Sequence, residues 1–385
     1  MCRACFPKSQ ANLGCEGGCK LSEKLALVLS GGSVRAAAQV GVLQAVEEYD
    51  LEPDLVVGTS GGSIVAALYA AGLSAGELEG LFQEYSRAKG RIVDLNWPGA
   101  VLALLTWDFR RLTGIVRGRS LEQIIAQSLP IGRFQDLKKC QLLIPAVNLN
   151  NGQPTVFCDY RALGLTPDDN GEYGGYLLRD DLTIAQAVRA SISIPGVFVP
   201  AAFAQDEDCY VDGGLRDGYP LNVAVRLGGA GRVLGVNMGY AGMRRDSILA
   251  EGPLEILSQS LDIMIWAQYK DRLQDRALVR SRLITINPLI YNIGTFEVEY
   301  IPEMIERGYE VAVRLFRERG LRPGEAANRD QLFRLVRTPQ SYPEKNSPYF
   351  HYLLENQIKK KTPQPVRRPN FLRQLRTLAR RRALG

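Results

Sequence analysis

A serine boxed in by glycines, Gly58-Thr59-Ser60-Gly61-Gly62, follows directly on the apolar run Leu55-Val56-Val57. The string reads as a strand that stops on a sharp turn, with a helix beginning near Ile64. Glycine is required around such a turn because side chains there would strike the backbone or demand a strained φ. A hydroxyl held at a strand tip beside the open N–H groups of a helix start is an activated nucleophile, so a serine hydrolase is expected. The nucleophile needs a base. The chain has one histidine, His351, in Tyr349-Phe350-His351-Tyr352. The order Ser60, Asp212, His351 matches the chain order of an α/β-hydrolase triad, but that fold builds several strands before its nucleophile. His351 also stands beside a basic tail instead of in a glycine-rich loop, and is read as a member of an aromatic cluster.

The base is therefore expected to be a carboxylate, and Asp212 in Tyr210-Val211-Asp212-Gly213-Gly214 is the candidate. A short hydrophobic strand delivers it, and Gly213 and Gly214 let neighbouring backbone approach; the plainer alternative is an Asp-Gly turn. An aspartate of ordinary pKa, ~3.9, is a weak base for a hydroxyl, so the site must desolvate it and stabilise the oxyanion. Gly31-Gly32-Ser33-Val34-Arg35 offers the donors, a glycine turn opening a helix with consecutive backbone N–H groups exposed. Gly31, Gly32 and Ser33 are expected to form the oxyanion hole, aided by Gly61, with Arg35 holding the loop or biasing the local field. Loss of one such donor typically costs about 3 kcal/mol of transition-state stabilisation.

These groups need a scaffold. Strands are expected at 25–29, 55–57, 142–147, 155–158, 209–211 and 233–236, with helices at 34–49, after the serine turn as far as Gly72, and from a capping box at Ser74 and Glu77. Leu78, Leu81, Phe82 and Tyr85 then share one helix face. Strand–helix–strand–helix spacing implies a parallel sheet covered by helices. Residues 161–180 read as a loop or hairpin. Long helical patterns take over beyond about 250, where Ile305, Tyr309, Ala312 and Phe316 make one apolar stripe.

Taken together, Leu29-Ser30-Gly31-Gly32-Ser33-Val34-Arg35, the turn from Gly58 through Gly62, and Asp212-Gly213-Gly214 resemble the glycine-rich loop, nucleophile elbow and Asp-Gly-Gly motif of the patatin-like phospholipases. The stretch 189–198, Arg-Ala-Ser-Ile-Ser-Ile-Pro-Gly-Val-Phe, resembles the family's segment shortly before the aspartate. The resemblance covers residues 25–225. It implies a three-layer α/β/α fold, with the elbow after the second strand of a mainly parallel sheet. It also implies a Ser60/Asp212 dyad acting on lipid acyl esters, with Gly58, Gly61 and Gly62 shaping the elbow and no cofactor or metal needed for catalysis. Two positions depart from the family loop: Ser33 stands for its third glycine and Ala36 for its last. Left-handed backbone at either would cost roughly 1–2 kcal/mol. An acyltransferase using the same acyl-enzyme, or a non-catalytic membrane or partner module, remains an alternative.

The bulk numbers fit a globular chain. At 385 residues it is 46% hydrophobic and 23% charged, with no apolar run long enough to span a bilayer. A cytoplasmic protein, peripheral at a membrane, is expected. Its organisation reads as a cysteine-bearing leader (1–22), a catalytic domain (23–225), a mostly helical part completing the fold (226–355) and a basic tail (356–385). The leader spaces Cys2, Cys5, Cys15 and Cys19 as C-x2-C-x9-C-x3-C, either a small metal knot or an irregular segment. Cys140, Cys158 and Cys209 read as buried fillers. Ten of the positive charges lie from Lys359 onward without one acid, so a net charge of +6 leaves the rest at −4. Phe371, Leu372, Leu375 and Leu378 among those arginines space a basic amphipathic helix suited to anionic lipid; no nucleic-acid reading motif accompanies it. Residues 97–107, with Trp97 and Trp107 at their ends and Arg110-Arg111 following, read as a lid, a lipid-facing helix or a buried helix.

Overall fold

The computed structural model describes residues 23–88, 94–96, 113–239, 252–272, 275, 278, 280–295 and 297–359. The cysteines of the leader, residues 97–112 and the tail from 360 lie outside them.

The expected alternation opens the fold. Strand β1 (Leu25–Leu29), wholly buried, leads through a short 3₁₀ turn into helix α1 (Ala37–Glu48). Strand β2 (Leu55–Gly58) leads into α2 (Gly61–Ala70), and α3 (Ala75–Arg87) follows with the Ser74/Glu77 capping box formed in both directions. Helix α2 starts three residues before the expected point near Ile64, because Ser60 itself is the residue preceding the first helical turn. Further on come α4 (Arg119–Ser128), β3 (Gln141–Asn148), β4 (Pro154–Phe157), the hairpin of β5 (Glu172–Tyr173) and β6 (Tyr176–Arg179), and α5 (Ile184–Ser191). The chain continues through β7 (Ala201–Ala202), β8 (Cys209–Asp212), the single turn α6 (Gly214–Asp217), β9 (Arg232–Val236) and α7 (Pro253–Arg272). It closes with β10 (Arg282–Ile286), α8 (Ile301–Glu318), α9 (Asn328–Phe333), β11 (Gln340–Tyr342) and α10 (Pro348–Glu355).

The strands form one sheet in the order β11-β10-β9-β1-β2-β3-β4-β6-β5, with β8 pairing β3 and β7 pairing β8. From β11 to β3 every pairing is parallel; β4 and β8 run antiparallel to β3. The central strands are buried on both sides, as parallel strands covered by helices must be. One apolar core lies between the sheet and α1, α2, α3, α5 and α8; a smaller one fills the other face around Tyr219, Leu221, Val223 and Leu227. This is the three-layer α/β/α arrangement. Helices α1 and α8 cross with backbones in contact at Gly41 and Gly308, where a Cβ would lie 1.8 Å from the carbonyl oxygen of Ile305 or Ala38. The stripe of Ile305, Ala312 and Phe316 is buried in that crossing. Tyr309, at its edge, donates to Glu48 at 2.5 Å.

Three strands escape the sequence reading, the first of them the two-residue β7. β10 is a five-residue run between long helical patterns, and β11 is a polar edge strand, Gln-Ser-Tyr, without the alternation that marks a half-buried strand. Cys140 and Cys158 are buried as expected, whereas Cys209 is only partly covered and contacts the Asn150 side chain.

Candidate active site

Three turns at the ends of β1, β2 and β8 meet at one end of the sheet. The elbow places Ser60 at φ 53°, ψ −130°, a conformation that costs a non-glycine residue of order 1–3 kcal/mol. Its neighbours make room for it. A Cβ on Gly58 would lie 2.4 Å from the Gly62 carbonyl oxygen, and one on Gly62 2.6 Å from those of Leu29 and Ser30. The turn is then tied down by side chains. The Ser60 amide donates to Ser191 Oγ at 3.0 Å, Ser191 Oγ donates to the Pro145 carbonyl at 2.7 Å, and Ser63 Oγ donates to the Ser60 carbonyl at 2.6 Å.

Asp212 is the last residue of β8, whose pairing with β3 sets Asp212 opposite Ala146. Its amide donates to the Ser193 carbonyl at 2.9 Å, and its Oδ1 accepts from the Gly214 amide at 2.7 Å. The carboxyl is buried, and desolvation pushes its pKa up to about 6. The Ser60 hydroxyl and the Gly214 amide oppose that shift by favouring the charged form. Oδ2, however, meets no donor at full hydrogen-bond geometry. A buried carboxylate with one oxygen fixed and the other facing a serine hydroxyl is a stronger base than aspartate in water.

The loop after β1 packs directly on the elbow, with a Gly31 Cβ position 3.2 Å from Ser60 Cβ. Of the three amides the sequence assigns to the oxyanion, that of Gly31 already donates to the Gly218 carbonyl at 2.8 Å. Among the described residues the amides of Gly32, Ser33 and Gly61 have no intramolecular acceptor. Ala36 has the negative φ its side chain needs, −57°, but Ser33 sits at φ +52° and so carries the left-handed strain that a glycine would avoid. Ser33 Oγ donates to the Thr295 carbonyl at 3.1 Å, which holds the residue in place.

Arg35 is buried. Its Nε donates to the Gly32 carbonyl at 3.3 Å and its guanidinium pairs with Asp262 of α7 at 2.7 Å, so it fixes the loop instead of reaching into solvent. Helix α7 touches two of the three turns, the loop after β1 through Asp262 on Arg35 and the turn after β8. Ile265 presses on Gly214 and Gly218, Gln268 donates to the Leu215 carbonyl at 2.8 Å, and Leu257 abuts Gly196. Asp262, Ser191 and Thr59, whose hydroxyl donates to the Asp217 carbonyl at 2.8 Å, have no assigned role in the sequence reading. Ser191 and Thr59 had a signal, lying inside the 189–198 stretch and the elbow; Asp262 had none. His351 stands exposed on α10 with its ring edge-on to Phe350, and makes no hydrogen bond to the three turns.

Among the described residues no helix is long and apolar enough to cross a membrane, and no group of three or more histidines, cysteines and acids is placed to hold a metal.

Comparison with known proteins bears on the same residues. The uncharacterized protein YqhO of Bacillus subtilis is 34% identical over 201 residues, 50% of this chain and 64% of that protein. Patatin-like phospholipase domain-containing protein 6 of Mus musculus is 29% identical over 219 residues, 56% of this chain and 13% of that protein. The match thus spans less than two thirds of either relative. The crystal structure of VipD from Legionella pneumophila aligns with 76% of this chain and 66% of its own at a TM-score of 0.38 and 14% identity, a likeness too weak to carry an argument. The family model for patatin-like phospholipase matches residues 27–225, which takes in all three turns and more than half of the sequence, and the chain belongs to that family.

Proposed function

We propose that this protein hydrolyses carboxylic ester bonds of lipids, phospholipid or lysophospholipid acyl chains, through a Ser60/Asp212 dyad. Ser60 Oγ attacks the ester carbonyl while Asp212 takes the hydroxyl proton. The amides of Gly32, Ser33 and Gly61 receive the oxyanion. Collapse of the tetrahedral intermediate expels the alcohol, which leaves with the proton from Asp212 and yields an acyl-serine. Water, deprotonated by Asp212, attacks the acyl-serine and releases the fatty acid, restoring Ser60. The scheme uses only groups of this chain and calls on no cofactor.

The observation that carries this reading is the buried Asp212 carboxyl, desolvated and aimed at a serine held in a strained turn beside open amides. A structural Asp-Gly turn needs none of that. Membership of the patatin-like phospholipases supports lipid esters as the substrate class.

A fluorophosphonate probe tests it: the folded wild-type protein should be labelled on Ser60, and absence of labelling would count decisively against the dyad. His351→Ala should leave hydrolysis of a lysophospholipid at the wild-type rate, measured by fatty-acid release.

A further inference from the structure

Eight large hydrophobic side chains stand exposed among the described residues, and five of them lie on two segments: Leu95 and Ile115 on one, Ile256, Ile263 and Met264 on the other. Three of these belong to α7. Its positions 256, 260, 263, 264 and 267 follow the i, i+4, i+7, i+8, i+11 spacing of one helix face. They are Ile, Ser, Ile, Met and Ala, all exposed and without a charge among them. Ile263 and Met264 are 47% and 49% exposed. The opposite face, through Asp262, Ile265 and Gln268, grips the oxyanion and aspartate turns. An ordinary surface helix turns its charges outward; this one keeps Asp262 inside, on Arg35, and an uncharged, largely apolar stripe out.

The apolar rim continues across to residues 94–96 and 113–116. The Asn96 amide donates to the Ile115 carbonyl at 2.7 Å, the Ile115 amide donates to Val197 at 2.9 Å, and neighbouring Gly196 touches Leu257 of α7. Beside this rim opens a cavity of about 520 Å³, lined by Asn96, Arg117, Arg119, Glu122 and Arg189 among others. Arg189 is buried, with its guanidinium on the Arg117 and Val199 carbonyls at 2.6 Å. Arg117 and Arg119 are exposed and have no carboxylate in salt-bridge range among the described residues. Glu122 shares the cleft with these arginines, and Asp94 beside it accepts from the amides of Gly118, Arg119 and Ser120, so three guanidinium groups outnumber two carboxyls there.

We propose that this face, the outer stripe of α7 with Leu95, Ile115 and the arginine cleft beside them, docks on the surface of a bilayer containing anionic phospholipid. The proposal rests on the reading of the dyad as a lipid esterase, since docking there would present acyl esters to Ser60. Apolar side chains enter the headgroup–acyl boundary, and the guanidinium groups meet lipid phosphates at the level above it. This surface belongs to the folded part of the chain and is separate from the basic tail.

The test uses the full chain carrying Ser60→Ala, so that no turnover alters the membrane, and measures sedimentation with phosphatidylcholine vesicles, pure or mixed with phosphatidylglycerol. The parent should bind the mixed vesicles more tightly. Ile263→Asp/Met264→Asp should weaken binding to both kinds roughly tenfold or more, and Arg117→Glu/Arg119→Glu should reduce the preference for the anionic ones. Ile263→Trp should strengthen binding, a gain that misfolding cannot produce. Unchanged sedimentation of the Ile263→Asp/Met264→Asp protein would overturn the proposal and leave any attachment to the tail. So would a dimeric parent that this pair of substitutions makes monomeric without loss of vesicle binding, because a second copy would then be the occupant. These arms read binding alone. A dyad unreactive to fluorophosphonate therefore sinks the esterase reading without touching them, and lost docking leaves Ser60 labelling intact.

Discussion

Two serines among the described residues hold left-handed backbone, Ser60 in the elbow and Ser33 in the loop after β1, at nearly the same φ of 53° and 52°. The turns differ in what surrounds them. Around Ser60 the strain is over-determined: glycines on both sides, a side-chain acceptor for its amide in Ser191, and a donor to its carbonyl in Ser63. Around Ser33 a single side-chain hydrogen bond to Thr295 does the holding, and the amide stays open. Strain at Ser60 is inseparable from the hydroxyl the proposed chemistry needs. At Ser33 only the backbone N–H is asked for, so the side chain there is a cost with no catalytic return. The comparison predicts that relief of strain abolishes activity at the elbow and leaves it nearly unchanged at the loop.

The largest effect belongs to the partner of the elbow. Asp212→Asn should lower kcat for lysophospholipid hydrolysis by a factor of about 10³ or more, because an amide cannot take the serine proton. The same substitution should stabilise the fold. With its pKa raised to about 6, Asp212 binds its proton more tightly in the folded chain than in the unfolded one. The ionised form therefore weakens the folded state fully above pH ~6, and the penalty fades as pH falls toward ~3.9. The corresponding free energy is about 3 kcal/mol, so the advantage of the Asp212→Asn protein over the wild type in urea melts should be present at about pH 8 and shrink toward about pH 4. In the wild type, kcat/KM of the free enzyme should fall on the acid side with a midpoint near pH 6. A midpoint of about pH 4 would show that Asp212 is not desolvated in solution.

Ser60→Gly sharpens the comparison directly. It removes the nucleophile, so turnover and fluorophosphonate labelling should vanish, while release from the φ 53°, ψ −130° conformation should raise stability by about 1 kcal/mol after the entropy cost of glycine. Ser191→Ala attacks the support and not the hydroxyl. It leaves the buried Ser60 amide without its acceptor and the Pro145 carbonyl without its donor, which should cost about 1–3 kcal/mol of stability. As a positioning residue, Ser191 should act on the reacting geometry. We expect kcat to fall roughly tenfold with KM little changed, and labelling of Ser60 to slow by the same factor. A loss of activity matched only by loss of folded protein would reduce Ser191 to a structural part.

The three turns were legible in the sequence because each is written in local residue types: glycines where backbones touch, a serine or aspartate where chemistry is needed, and an apolar run before each. The strands leading into them were legible for the same reason. What was not legible depends on contacts between distant segments. Nothing near Asp262 announces that it neutralises Arg35, 227 positions earlier, and nothing near Gly218 announces that its carbonyl takes the Gly31 amide. Strand β11 is too short and polar to signal itself, and finds its place only because β10 offers an open edge. Helix α2 starts earlier than its sequence suggests because a glycine pair reads as a turn; in this fold the same pair begins the helix, packed against the Leu29 and Ser30 carbonyls.

Ser33→Gly should have the smallest effect and discriminates most finely. Relief of left-handed strain is worth roughly 1–2 kcal/mol, and the added freedom of glycine in the unfolded chain takes back roughly 0.5–1. Loss of the hydrogen bond to the Thr295 carbonyl removes about 1 kcal/mol more. The terms nearly cancel, so urea melts should place this variant within about 1 kcal/mol of the wild type. Its kcat should stay within about threefold, since the amide proposed to meet the oxyanion is unchanged and a threefold change corresponds to well under about 1 kcal/mol. Ser33→Val should behave otherwise. A β-branched side chain tolerates positive φ poorly and offers no hydroxyl to Thr295, so the loop would be driven out of the geometry that presents the Gly32 and Ser33 amides. If valine at this position left kcat intact, the oxyanion donors would have to be sought elsewhere, with Gly61 as the remaining open amide at the elbow.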